Sequence, residues 1–339
     1  MTDEANTLLF LGDVVPHKAF RFKTRYKTVI NLECPIVVGE AYPANGKINL
    51  SVHSNYLTDI FKSKLEIACL ANNHIFDFGL QALNSTIHQL EERGIKWFGI
   101  DRKPDERLSH LLYEMNDQKI ALIAAVCPST SPLTEIDGPA FINLLDVDVI
   151  ISKVEKLRAV VDRIVLYVHW GEEELSYPKK EDIITARKLV DSGVDILIGS
   201  HAHSPQAIEK YNGGIIAYNL GNFIMPALKN IPSYFDNNGK PHAFYNKLLM
   251  PWNRISWGLL VNMETLSYRI KKYIFLFDRI IELPFTPFDK YIYLKQVTFD
   301  DNYDRMVNRH LKKREKFSKI MHYIAKPYIP QKIKKRLWN

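Results

Sequence analysis

The chain has 339 residues, 46% of them hydrophobic, and a formal net charge of +7. That composition supports a sizeable core in one large domain or two smaller ones and excludes a disordered or fibrous protein. From Arg309 to the end, eleven Lys or Arg residues stand against one acid, Glu315, so the tail carries +10 and the rest about −3, which excludes a body that clamps nucleic acid by its field alone.

The opening, MTDEANTLLFLGDVV, starts acidic, and Gly12 and Asp13 interrupt its short apolar stretch, so no signal peptide is expected. No apolar run approaches the roughly 18 residues of a spanning helix. Cys34, Cys69 and Cys127 are widely spaced in apolar sequence and read as reduced core thiols of a cytoplasmic protein.

In chain order, apolar runs predict strands at residues 7–12, 28–31, 65–71, 96–99, 119–127, 163–169, 194–199, 206–210, 214–219, 256–263 and 267–275. Helical spacing predicts helices at 54–64, 80–93, 147–160 and 181–192. In the second of these Leu80, Leu83, Ile87 and Leu90 share a face, and Gly94 stands where the helix should end. This alternation argues for a layered α/β domain over residues 1–300. The later strands, two of them joined by an Asn212-Gly213-Gly214 turn, read as antiparallel additions. Residues 226–253, rich in Pro, Asn and Tyr, read as a long insertion loop serving as a lid or partner surface.

Residues 301–339 form a separate basic, amphipathic tail. Val307, Leu311, Phe317, Ile320, Met321 and Ile324 fall largely on one helical face among Lys and Arg, and Pro327 and Pro330 are expected to end the helix before QKIKKRLWN.

Six polar clusters follow these apolar runs: Gly12-Asp13, Asn31-Leu32-Glu33, Ala71-Asn72-Asn73-His74, His169-Trp170-Gly171, Ser200-His201-Ala202-His203 and Gly221-Asn222-Phe223. Carboxylates, an amide oxygen and imidazoles arriving from separate strand ends are the donor set of a divalent metal site that keeps positions open for water and substrate.

Taken together and in this order, the clusters resemble the CapA-type family of capsule and poly-gamma-glutamate synthesis proteins, a branch of the calcineurin-like metallophosphoesterase superfamily. The resemblance covers roughly residues 7–223 and continues more weakly to about 285. It implies a four-layer αββα sandwich with a dinuclear metal centre at the strand ends; the cofactor expected in this chain is one or two divalent ions, Mn, Fe or Zn. By motif position, Asp13 and Glu33 would be carboxylate ligands, Glu33 standing where the superfamily uses a bridging Asp. Asn73 would supply an amide oxygen, and His169, His201 and His203 would complete the metals. His74 would donate a proton to the leaving group. Around them, Asn31, Asn72, Asp77, Glu173, Asn219 and Asn222 would orient ligands or meet substrate.

Each residue has a plainer use as well. Asp13 would serve as a loop cap, Glu33 as a surface residue beside Pro35, and Asn72 and Asn73 as turn residues tolerant of left-handed backbone. Asp77 reads as an orienting group or a helix cap. Glu173 would pair with a substrate cation or orient a ligand, and Asn219 would close a structural turn. The remaining histidines, such as His88, His110 and His310, lack such company and read as surface or packing residues. One departure from the superfamily pattern is clear: its members typically place a His two positions after the first Asp, where this chain has Val15. His17 would substitute only if the loop turned back.

The chemistry implied is metal-assisted hydrolysis or transfer on a phosphoester or a carboxyl-derived bond of an anionic polymer, in capsule or exopolymer metabolism. The competing expectation is a non-catalytic, metal-binding accessory protein of a capsule or polysaccharide assembly complex. Nucleic acid is not an expected partner, since no stacking aromatics interleave with basic residues near the clusters. Reversible contact of residues 305–339 with the inner membrane surface is expected from their charge and apolar stripe.

Overall fold

The computed structural model describes residues 4–52, 56–103, 107–133, 136, 138–235, 241–292 and 301–328. In chain order the elements are β1 (Thr7–Val14), β2 (Lys27–Leu32), α1 (Leu57–Phe61), β3 (Leu65–Cys69), α2 (Gly79–Glu91), β4 (Lys96–Phe98), β5 (Leu111–Met115), β6 (Gln118–Val126), α3 (Val147–Arg158), β7 (Arg163–His169), α4 (Lys180–Asp191), β8 (Ile196–Ser200), β9 (Ile208–Tyr211) and β10 (Gly214–Ala217). After them come β11 (Asn222–Ile224), β12 (Leu228–Phe235), β13 (Pro241–Lys247), β14 (Ile255–Asn262), β15 (Tyr268–Leu276), β16 (Arg279–Leu283) and α5 (Asp301–Tyr328).

Two sheets face each other. One runs β16-β15-β14-β1-β2-β3-β4, with β11 also pairing β1, and the other runs β5-β6-β7-β8-β10-β9. The alternation of side chains along β6 shows why they stack: Ile120, Leu122, Ala124 and Val126 join the core shared with the first sheet, whereas Ala121, Ile123 and Ala125 pack with Ile150, Val154 and Leu157 of α3 and Ile183, Ala186 and Leu189 of α4. On the other side, Leu57, Ile60 and Phe61 of α1 and Leu83, Ile87 and Leu90 of α2 pack on the first sheet. The result is a four-layer αββα sandwich.

Within each sheet the central strands are parallel: β1 to β4 in the first, β6, β7, β8 and β10 in the second. Their C-terminal ends therefore gather at one rim, the position open α/β sheets reserve for ligands. β9, β14, β15 and β16 add antiparallel, whereas β11 pairs β1 in parallel; Asn212 (φ 43°) and Gly213 (φ 83°) make the tight link between β9 and β10. At the crossover between sheets, β11 passes so close to β1 that the Asp13 amide donates to the Gly221 carbonyl at 3.0 Å. A methyl on Gly12 would sit 1.8 Å from that same carbonyl oxygen, so only glycine fits there.

Several elements differ from expectation. The first helix is a five-residue turn of α-helix that tightens into a 3-10 turn at Lys62–Lys64. Residues 226–253 are not a plain loop, since β12 and β13 pair as a separate two-stranded sheet. β5, β11 and β16 were not foreseen. Cys34 and Cys69 are buried thiols as expected, but Cys127 is only half-buried.

The C-terminal helix α5 runs one residue past Pro327 and packs on the body through Tyr303, Val307 and Leu311, which join the α3/α4 core. Phe317 meets the Trp252 ring at 5.7 Å. Among the described residues, no helix is long and apolar enough to cross a membrane. Residues 331–339, the final basic segment, lie outside the described residues.

Candidate metal centre

Both sheets send donors to the rim. Asp13 leaves β1, Glu33 follows β2, and Asn72, Asn73 and His74 follow β3, all in the first sheet. His169 ends β7, and His201 and His203 follow β8, in the second. Two donor groups result: Glu33 with His169 and His201, and Asp13 with Glu33 and His203, each with ligand atoms within 4.8 Å of one another. Glu33 belongs to both. Its Oε1 lies 3.6 Å from His169 Nε2 and its Oε2 lies 3.7 Å from His203 Nδ1, so the one carboxylate spans the two groups.

The donors fit a divalent cation on chemical grounds. Both Glu33 oxygens and His201 Nδ1 are buried without a hydrogen-bond partner among the described residues. Leaving such atoms unsatisfied costs about 1–3 kcal/mol each, more for a charge, unless something else coordinates them. Burial, then the neighbouring Asp13 carboxylate, pushes Glu33 well above the usual carboxylate range. Burial and the facing imidazoles push His169 well down and His201 down to about 4. Burial also works to lower His203, but the Glu33 and Asp13 carboxylates outweigh it and raise that group to about 10. The Glu33 carboxylate, driven toward protonation, and the His169 and His201 imidazoles, driven toward neutrality, are side chains that a shared positive charge would relieve.

A layer of polar contacts fixes these donors. Asn31 Nδ2 donates to Asp13 Oδ1 at 2.8 Å, and Asn72 Nδ2 donates to the Leu32 carbonyl at 2.8 Å. His169 Nδ1 pairs with Ser200 Oγ and its Nε2 with Asn73 Oδ1, each at 2.9 Å. Asn222 Oδ1 stands 2.9 Å from His203 Nδ1, and Asn253 Nδ2 donates to the His203 carbonyl at 3.1 Å. Asn219 Oδ1 accepts from the Gly221 amide at 2.8 Å, the turn role expected of it. His201 (φ 92°) and His203 (φ 50°) adopt left-handed backbone without being glycine, a conformation that costs of order 1–3 kcal/mol per residue and needs support from its surroundings.

His74 is a neighbour of the donor groups. Its Nδ1 lies 2.6 Å from Asp77 Oδ2, its amide donates to Asn72 Oδ1 at 3.0 Å, and its side chain lines a cavity with His203, Asn222, Glu173 and Lys247. Asp77, fully buried, also accepts from the Leu50 amide and pairs with Lys47. Asp77 is thus placed to hold the His74 ring. Glu173 meets an internal cation, Lys247 at the end of β13, 2.9 Å away. His17 turns away, pairing with Asp278 at 2.9 Å, and does not stand in for the superfamily histidine.

Four polar residues of this surround went unforeseen: Lys47, Lys247, Asn253 and Arg314. Their only sequence signal was polarity in otherwise mixed segments. Ser200 sat inside a recognised cluster.

Residues 14–227 match the family model described as bacterial capsule synthesis protein PGA_cap. The chain belongs to that family. The match includes every candidate ligand except Asp13, which immediately precedes it, and it ends before β12, β13 and α5. Among curated relatives, the PGA biosynthesis protein CapA of Bacillus subtilis is 25% identical over 203 residues, covering 57% of this chain and 52% of that protein. A probable polyglutamine synthesis accessory protein of Mycobacterium tuberculosis is 22% identical over 258 residues, covering 72% of this chain and 66% of its own. The chain thus spans about half the length of the Bacillus relative it matches. Among solved structures, a 5'-nucleotidase precursor from Thermus thermophilus aligns with TM-score 0.41 at 18% identity over 79% of this chain and 54% of that one. The calcineurin-like phosphoesterase YfkN of Bacillus subtilis aligns with TM-score 0.36 at 14% identity, covering 81% and 87%. The architecture described above stands on its own sheets and helices.

Proposed function

We propose that this family member is a metal-dependent hydrolase or transferase acting on an anionic polymer or phosphoester in capsule or exopolymer synthesis. The observation that carries the reading is the sharing of Glu33, buried and without a hydrogen-bond partner among the described residues, by two three-donor groups with His74 beside them. Asp13, Glu33, Asn73, His169, His201 and His203 would hold one or two divalent ions, Mn, Fe or Zn. Such ions supply a Lewis acid and a water of lowered pKa when bound. The protein's own residues do the rest. Asp77 Oδ2, 2.6 Å from His74 Nδ1, orients the ring, and Nε2 is the atom that would pass a proton to the departing oxygen. Lys47 neutralises Asp77 and braces the Asn73 carbonyl. Lys247, at the cavity wall, pairs with both Glu173 and Glu174 and holds the loop after β7 against β13.

The test is the metal content of freshly purified protein by elemental analysis. Between one and two equivalents of a transition metal are expected, with most of it lost when His201 and His203 are both changed to Ala. Unchanged content in that double variant would sink the assignment. Stoichiometric metal without turnover of phosphoesters or glutamyl peptides under added Mn²⁺ would favour the accessory reading, which the Val15 departure and the diversion of His17 support.

The location proposed is cytoplasmic, at the inner membrane face. Support comes from α5, whose outward side exposes Arg309, Lys312, Lys313 and Lys316 around the exposed side chains of Met306, Phe317 and Ile320. Nucleic acid is not the partner proposed, since these basic residues lie on one helix at the surface rather than around the cavity.

A further inference from the structure

Arg314 is a buried cation, 6% exposed, on a helix otherwise lined outward by solvated Lys and Arg. Its guanidinium donates to the Glu174 carbonyl, to Ser204 Oγ at 2.9 Å and to Ser176 Oγ, and it lies 4.4 Å over the Trp252 ring. Ser176 and Ser204 are themselves hydrogen-bonded at 2.6 Å. These acceptors belong to two loops. One leaves β7 directly after His169, and the other leaves β8 through His201 and His203, with Ser204 the very next residue.

Docking a helix does not require a buried charge, because a well-packed apolar side chain does it at no desolvation cost. Three donors in a fixed fork, meeting oxygens from two separate loops, are instead a device for holding those loops in register. The backbone there needs holding: His201, His203 and Glu174 all sit at positive φ. The Glu174 carboxylate in turn bonds the Trp252 indole and Asn253, and Asn253 bonds the His203 carbonyl, so the fork is continuous with the donor set.

We infer that Arg314 is a positioning residue for the metal centre: α5, although outside the family-matched segment, locks the His169 and His201/His203 loops into coordinating geometry. The inference rests on the metal reading above. It requires that a cation bind the full chain through those histidines and that the fork set its affinity.

Calorimetric titration of Mn²⁺ into the metal-stripped full chain tests it, together with the visible absorption spectrum of the Co²⁺-loaded protein. Arg314→Ala should weaken Mn²⁺ binding by about 10- to 100-fold, the usual scale for an outer partner of a ligand, and alter the Co²⁺ bands; Arg314→Lys should recover part of both. Leu311→Ala, on the same buried face, should lower thermal stability and leave affinity and spectrum alone. If Arg314→Ala does not fold, Ser176→Ala with Ser204→Ala removes the two hydroxyl acceptors from the loop side, leaving the Glu174 carbonyl and Trp252 contacts, and should reproduce much of the loss. A wild type that takes up no Mn²⁺ overturns the metal reading and this inference with it. A wild type that binds Mn²⁺ no better than a folded Arg314→Ala or the double serine variant, or a Leu311→Ala that loses as much affinity, overturns this inference alone.

Discussion

His74 is the residue whose role is most sharply testable. Among the described residues it belongs to neither donor group, and its Nδ1 lies 2.6 Å from Asp77 Oδ2. His74→Ala should therefore retain metal while turnover falls by about 10²–10⁴-fold, the range of a general acid. Elemental analysis beside steady-state assay decides it; metal loss equal to that of a His201 variant would make His74 a ligand instead. At this scale the sequence was informative wherever a side chain sits at a strand end within a short motif. Asp13, Glu33, Asn73, His169, His201 and His203 all converge, because parallel strands bring every such end to one rim. Lys47, Lys247 and Arg314 were not legible. A lysine in a mixed polar segment has no periodicity to mark it, and what gives each its role is a partner far away in the chain, such as Asp77, Glu173 or Ser204.

At the scale of elements, the buried parallel strands were readable because a strand covered on both faces is a continuous apolar run. β5 and β16 were missed for the opposite reason: as outer strands of their sheets they are largely exposed or half-buried, β16 throughout, and carry charged residues. β11 has only three residues, too few for any period to show. The amphipathic character of α5 was readable, but its division of labour was not. Phe317 and Ile320 were expected with Val307 and Leu311 on one apolar stripe; in the structure Val307 and Leu311 pack inward, whereas Phe317 and Ile320 are 41% and 46% exposed among basic residues. That outward side makes a prediction. Sedimentation with anionic vesicles should pull down the full chain in a salt-sensitive way, each basic residue near the lipid contributing about 1 kcal/mol at most, and neutral vesicles should not. Changing Arg309, Lys313 and Lys316 to Glu should abolish it, and equal sedimentation of that variant would rule the contact out.

For the whole molecule, the donor set has a mechanical meaning. Asp13 and Glu33 come from one sheet and the three histidines from the other, so a cation bound by both groups ties the sandwich together across its middle. A ligand that binds only the folded state stabilises by about 2.7 kcal/mol at a free concentration 100 times its Kd. Thermal unfolding of metal-stripped protein should accordingly shift upward as Mn²⁺ is added, and hydrogen exchange should slow at the ends of β1 and β7 together. Protection confined to one sheet would contradict a centre shared between them.

The pairing of β1 has a consequence for how such a chain is made. One edge of β1 is covered early by β2, but its other edge, from Thr7 to Phe10, pairs with Leu259 to Asn262 of β14. On a ribosome adding roughly 5–20 residues per second, the central strand of the first sheet waits for tens of seconds with an apolar edge open. A nascent chain in that interval offers a template for strand addition by a second copy or for capture by a chaperone, and a chain cut short before β14 keeps that edge permanently. Soluble yield of this protein should therefore depend on the speed of synthesis and on the intactness of a segment far downstream of every residue that would touch the metal.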